Sequence, residues 1–128
     1  MTLEQRLSRL EAIEAIRQLK ARYFHACDHK QPDVVRECFP AGQIDLRYGR
    51  IGNFSDREQM LAVFTTLACH AHIVEMHHGQ NPRIEVQDAD NATGIWGLYY
   101  YLIDTRRQTV TQLAGFYDDA YLRCDGQW

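Results

Sequence analysis

Several absences narrow what this chain can be. No window approaches the roughly 18 apolar residues that a membrane-spanning helix needs. The opening MTLEQRLSRLEAIEAIRQLK is charged throughout and has no apolar core, which is not the pattern of a signal peptide, so the cytoplasm is the expected compartment. Neither sign of charge dominates: 14 Lys and Arg against 17 Asp and Glu leave a net charge of -3, spread along the chain. That excludes the basic footprint of a nucleic-acid binder and the polybasic patch of a membrane-surface protein. The four cysteines, Cys27, Cys38, Cys69 and Cys124, form no C-x-x-C pair, and read as reduced, mostly buried thiols rather than disulfides or metal ligands. There is no internal repeat, low-complexity tract or linker. What remains is ordinary for a globular protein: 128 residues, 45% hydrophobic and 24% charged, enough for one domain (1–128) with a real core.

The order of elements points to an α+β domain. Leu3, Leu7, Leu10, Ile13, Ile16, Leu19, Tyr23 and Cys27 recur every three or four residues, the mark of one helix face. Thr2 and Gln5 are spaced as a capping box. Pro32 opens a short second helix, PDVVRECF, ended by Pro40 and Gly42. QIDLRYGRIGNF reads as a short strand and turn, and Ser55 is the expected cap of a third helix, DREQMLAVFTTLACH. After about residue 72 the chain reads as strand. IVEMHHG and RIEVQD flank Asn81-Pro82, where Pro82 demands a bend, a bulge or an edge position. ATGIWGLYYYLID and TVTQLAGFYDDAYLRC form a hairpin about the polar TRRQ. Helices first and antiparallel strands after predict helices packed on the concave face of a curved antiparallel sheet. A further strand beyond CDGQW is expected to complete that sheet, from the natural protein or from a neighbouring subunit.

Some polar residues lie where apolar ones belong. At about 100° per residue, Ile13, Ile16, Tyr23 and Phe24 fall within about 60° of Cys27 on the first helix. Asp28 lies about 100° round, at the edge of the stripe, while His25 and His29 fall about 160° away on the solvent side. Tyr23 is then either a core tyrosine or a pocket phenol, and Asp28 either a cap for the next helix or a pocket carboxylate. His77 and His78 alternate on their strand, so one of the two faces the interior. His70 and His72 share a strand face but have no acidic or thiol partner nearby, and no metal site is assigned. A Tyr, an Asp and a His meeting in one apolar cavity would form a proton-transfer site. The Asp fixes the imidazole tautomer, the free nitrogen acts as base, and the phenol donates to an oxygen gaining negative charge.

The runs IEAIRQLKARYFHACDHKQPDVVRECF, MHHGQNPRIEVQDADNATGIWGLYYYL and AGFYDDAYLRCDGQW resemble the SnoaL-like group of the cystatin-like, nuclear-transport-factor-type α+β cone. Within it the chain is similar to bacterial bile-acid dehydratases and, more distantly, to scytalone dehydratase. The RYFxxxD and MHxGxxP runs, in that order, carry the likeness. It implies Tyr23, Asp28 and His77 as catalytic residues: His77 the base, Asp28 holding it, Tyr23 binding the substrate oxygen. His78 and Met76 should then face away. Tyr48 is implied as a second tyrosine and Asn81 as a pocket or turn residue. There are departures: Gly42 stands where many relatives carry Asp, Gln80 where the bile-acid dehydratases carry another His, and their last-strand Arg has no counterpart.

The expected activity is that of a cofactor-free lyase, a dehydratase or hydratase acting on a small, cyclic, mostly apolar ketone such as a steroid or polyketide-like compound. Trp96, Tyr99 and Phe116 (with Tyr101) are candidate substrate-binding walls, with core packing as their competing role. The alternatives are a ketosteroid-isomerase-like enzyme, a non-catalytic β subunit of a ring-hydroxylating dioxygenase, or a small-ligand-binding protein. An apolar outer sheet face should drive homo-oligomerisation. The resemblance favours a trimer over a dimer.

Overall fold

The apolar spacing of the first 28 residues produces one 26-residue helix, α1 (Leu3–Asp28), in the computed structural model, which describes all 128 residues. Its capping box is formed as expected. Thr2 Oγ1 accepts from the Gln5 amide at 3.1 Å, and the Gln5 side chain accepts from the Thr2 amide at 2.8 Å. The apolar stripe is covered only in part. Ile16, Leu19, Tyr23, Phe24, Ala26 and Cys27 are buried, whereas Leu3, Leu7 and Leu10 stand exposed. A helix of this length reaches about 39 Å, and burial of its apolar stripe begins only at Ile16. His25 and His29 face solvent and stack on each other.

Helix α2 (Pro32–Glu37) opens at Pro32. A two-strand hairpin, β1 (Leu46–Arg47) with β2 (Asn53–Phe54), turns about a short 3-10 segment at Gly49–Ile51. Helix α3 (Arg57–Leu67) is shorter than its apolar pattern implied, and its cap is Asp56, not Ser55. The Asp56 carboxylate accepts from the Gln59 amide at 2.8 Å, while the Gln59 side chain turns back to hold the Ser55 amide at 3.0 Å. Asp is as good an N-cap as Ser, and here it is the residue with the right reach. Arg57 ties α3 to the end of α2 by donating to the Phe39 carbonyl at 3.0 Å.

Three 14-residue strands, β3 (Ile73–Val86), β4 (Asn91–Asp104) and β5 (Thr109–Leu122), form an antiparallel sheet in the order β3-β4-β5. Pro82 sits within β3, which is tolerable because β3 is an edge strand and its register slips between Gln80 and Arg83. Asn81 takes a left-handed conformation (φ 52°) at that bulge. The slip reverses the side-chain phase. Ile73, Glu75, His77 and Gly79 face the helices before it, Ile84 and Val86 after it. On the neighbouring strands Ala92, Gly94, Trp96, Leu98 and Tyr100, and then Tyr117, Asp119 and Tyr121, point the same way.

Helix α1 lies along this concave face. Ile16 and Leu19 pack with Ala92 and Tyr121; further along, Tyr23, Phe24 and Cys27 join Val35, Met60 and Leu61. Each fully buried aliphatic side chain, such as Ile16 or Val35, contributes about 1.5–3 kcal/mol. Closest approach is at Gly79, where a Cβ would lie 2.4 Å from the Phe24 ring. No helix is long and apolar enough to cross a membrane.

Candidate active site

The last turn of α1 brings Asp28 against β3 opposite His77. Oδ1 of Asp28 lies 2.6 Å from His77 Nδ1, and the same carboxylate accepts the His77 backbone N–H at 3.1 and 3.2 Å. Ring and backbone are thus clamped by one acceptor. An ionised carboxylate can only accept, so it holds the Nδ1–H tautomer of the neutral imidazole, in which the lone pair lies on Nε2. The imidazole stacks on Phe24 (centroids 5.5 Å, 15° between planes) and abuts Tyr100 (4.7 Å). The side chains of His77 and Asp28 keep only 10% and 19% of their exposure, so water seldom competes for the pair. His78, one residue on, faces outward and is exposed, as does Met76.

Tyr23, five residues before Asp28 on α1, meets Tyr48 from the short hairpin, their hydroxyl oxygens 3.0 Å apart. Two phenols sharing one hydrogen bond leave one O–H for another acceptor. Burial pushes both above the usual tyrosine pKa, so both stay neutral donors at physiological pH. Burial likewise raises the Cys27 thiol, which makes it an inert wall of the cluster.

Four residues expected at the site lie elsewhere. Trp96 is buried on the concave face, but its indole N–H donates to Tyr121 Oη at 2.9 Å, and it stands four residues along β4 from Tyr100, about 13 Å at the usual strand rise. Tyr99 and Phe116 point outward, away from the helices. Tyr99 pairs with His78, and Phe116 is 84% exposed. Strand alternation explains both: with His77 inward and paired to Tyr100, the odd positions of β4 must face out. Asn81 is exposed at the bulge and serves the turn of the backbone. Surface hollows of about 500 Å³ (by Gly42 and Asp56) and 380 Å³ (by Ile13 and Pro82) also lie apart from the His77 cluster.

Two buried polar groups escaped the sequence reading. Lys20, 6% exposed, donates to Asp119 at 2.7 Å and sits 3.5 Å from the centroid of the Tyr117 ring. Asp119 also accepts from Tyr121 at 2.7 Å. Burial lowers the Lys20 pKa, and Asp119 restores it in part. The signal was available: Lys20 stands seven residues before Cys27, within about 20° of the centre of the apolar stripe. Glu75, 8% exposed, lies two residues before His77 and so shares its face; it is hydrogen-bonded to Tyr100.

Comparison with known proteins agrees with this architecture. Residues 8–128 match the SnoaL-like domain family. Among solved structures, LinA superposes with a TM-score of 0.84 at 24% identity, covering 95% of this chain and 82% of that one. A type-3 LinA hexachlorocyclohexane dehydrochlorinase from Novosphingobium barchaimii gives 0.80 at 23% identity, covering 95% and 83%. A scytalone dehydratase-like protein from Novosphingobium aromaticivorans gives 0.82 at 20%, covering 94% and 80%. A long helix laid along the concave face of a curved antiparallel sheet, matched over nearly its whole length, makes the chain a member of the SnoaL-like domain family.

Proposed function

We propose that this protein is a lyase that removes a proton beside a carbonyl and expels a group from the next carbon, acting on a small, cyclic, mostly apolar ketone. The observation that carries the reading is the Asp28–His77 hydrogen bond at 2.6 Å, with the Tyr23–Tyr48 phenol pair five residues back along the same helix. His77 Nε2 takes the proton from carbon. Asp28 holds the imidazolium that results. The spare phenolic O–H of the Tyr23–Tyr48 pair stabilises the enolate oxygen, a role suited to a neutral donor in a dry site. The enolate then collapses, the carbon–oxygen bond of the neighbouring hydroxyl breaks, and the proton on His77 leaves with it as water. Base and acid are one residue, so atoms and charge balance without a cofactor. Tyr23, Asp28, His77 and Tyr48 are the residues assigned to this chemistry. The LinA dehydrochlorinases and the scytalone dehydratase-like neighbour are named for eliminations, in keeping with this reading.

Bicyclic β-hydroxy ketones provide the test. Purified enzyme is expected to convert them to the conjugated enone, followed by its ultraviolet absorbance, and His77→Ala is expected to abolish conversion while keeping the melting temperature within a few degrees. Migration of a double bond in an unsaturated ketone, with no loss of water from the hydroxy ketone, would identify an isomerase instead. Turnover surviving in His77→Ala would remove the basis of the proposal.

A further inference from the structure

Beside the Asp28–His77 pair stands a second carboxylate-backed group that the mechanism above does not use. Tyr100 is the cross-strand partner of His77, its ring centroid 4.7 Å from the imidazole, and its hydroxyl donates to Glu75 Oε2. Glu75 comes from β3, two residues before His77, and is 8% exposed. Its other oxygen, Oε1, is buried with no hydrogen-bond partner. A phenol owns a single proton. With that proton committed to Glu75, the Tyr100 oxygen has only lone pairs to offer any third group. Next to the base, the Tyr100 and Glu75 oxygens therefore accept hydrogen bonds and donate none. The Tyr23–Tyr48 pair has the opposite character, with one O–H in surplus.

We infer that Tyr100, oriented by Glu75, accepts a hydrogen bond from the hydroxyl that leaves, so that the site takes β-hydroxy ketones and discriminates against their halogenated counterparts. This rests on the lyase reading above and deepens it. A hydroxyl beside the base can donate to Tyr100 while it departs, and the water formed when His77 returns its proton still has a hydrogen for the same acceptor. A halogen has no proton to give. It would set an electron-rich atom against the Tyr100 lone pairs and the Glu75 carboxylate, which costs free energy instead of gaining it. The chain thus parts from the dehydrochlorinases whose fold it shares, and the difference is set by two residues on adjacent strands.

The test separates binding from turnover. Three decalones, β-hydroxy, β-fluoro and unsubstituted, are titrated calorimetrically into the His77→Ala protein, which retains Tyr100 and Glu75 but has no base. The hydroxy compound is expected to bind about tenfold more tightly than the other two. Adding Tyr100→Phe should erase that preference while leaving the affinity for unsubstituted decalone unchanged, whereas a merely structural role would weaken all three alike. Because Tyr100→Phe strips Glu75 of its only partner, the paired change Glu75→Leu with Tyr100→Phe is run alongside, replacing both groups by apolar ones. Equal affinity for the three ligands with Tyr100 present, or a preference for the hydroxy compound that survives Tyr100→Phe, would overturn the inference. Failure of the elimination itself would show separately, as absence of enone from the wild-type enzyme.

Discussion

Replacing Asp28 by Asn changes one atom type and should cost far more in rate than in stability. The carboxylate now accepts two N–H groups, the His77 ring at 2.6 Å and its backbone amide, which is shared between both oxygens at 3.1 and 3.2 Å. An amide keeps a single acceptor oxygen, so ring and backbone compete for it, and its NH2 group must face one of them. In the ground state the loss is that of a charge-assisted hydrogen bond, about 1.5–3 kcal/mol. In the transition state a partial imidazolium forms about 4 Å from the former charge; at an effective dielectric of about 20 a full charge there is worth about 4 kcal/mol, and a half-developed one about 2. The two figures describe the same attraction and are not summed. A net loss of about 2–4 kcal/mol lowers kcat by about 30- to 1,000-fold. Enone formation from a bicyclic β-hydroxy ketone measures kcat, and a thermal melt measures the fold. Nitrogen-15 spectra of the imidazole supply a readout that is independent of substrate, because the Nδ1–H tautomer should lose its dominance. An Asp28→Asn enzyme with undiminished kcat, or with Nδ1 still fully protonated, would refute the assignment of Asp28 as the holder of the base.

The remaining expectations address the scaffold that presents the site. Gly79→Ala places a methyl 2.4 Å from the Phe24 ring, which also stacks on His77; it should cost about 1–3 kcal/mol in denaturant melts and lower kcat by displacing the imidazole. Lys20→Ala leaves Asp119, 22% exposed at its side chain, without its cation, and should lower stability by about 3 kcal/mol, or about 10 °C in Tm. Tyr23, Tyr48, Tyr117 and Tyr121 have pKa values raised by burial above that of the unfolded chain, so their contribution to stability is complete below the ordinary tyrosine range near pH 10 and is lost as pH rises beyond it; alkaline melts should fall in step with late phenolate absorbance. The outer sheet face exposes Val74, Met76, Tyr99, Val110 and Phe116, and light scattering is expected to return a trimer that Phe116→Glu reduces to monomers.

What the sequence discloses follows the periodicities that local physics enforces. Helix α1 and its cap are legible because a 3.6-residue repeat and a capping box depend only on neighbours along the chain. Strand alternation likewise permits one inward histidine, but it does not say which of His77 and His78 that is, nor which residues of β4 face the helices. Those depend on register between strands, a long-range property. The run Tyr99-Tyr100-Tyr101 shows the consequence. Pairing of His77 with Tyr100 puts Tyr100 inside and its two neighbours outside, so Tyr99 does not line the site. Phe116 fails for the same reason one strand further on. Asn81 owes its place to a bulge that Pro82 signals but does not locate to the residue.

Polar residues on a buried stripe are where local reading and long-range structure meet. Lys20, Tyr23 and Asp28 all lie on or beside the apolar face of α1, and each finds a different distant partner: Asp119 on β5, Tyr48 on the hairpin, His77 on β3. A random polar intrusion would be a liability in that position, since an unpaired buried group costs about 1–3 kcal/mol and a charge more. Three intrusions on one face, all satisfied, mean that the helix is held in one rotation and one axial position, because sliding it by a residue would turn each group about 100° from its partner. The same constraint that makes the helix costly to misplace therefore sets the distance between the base and the phenol pair. On this view the Lys20–Asp119 pair acts on catalysis through helix register, and a variant that loosens it without unfolding the protein should weaken the Asp28–His77 clamp before it disturbs the sheet.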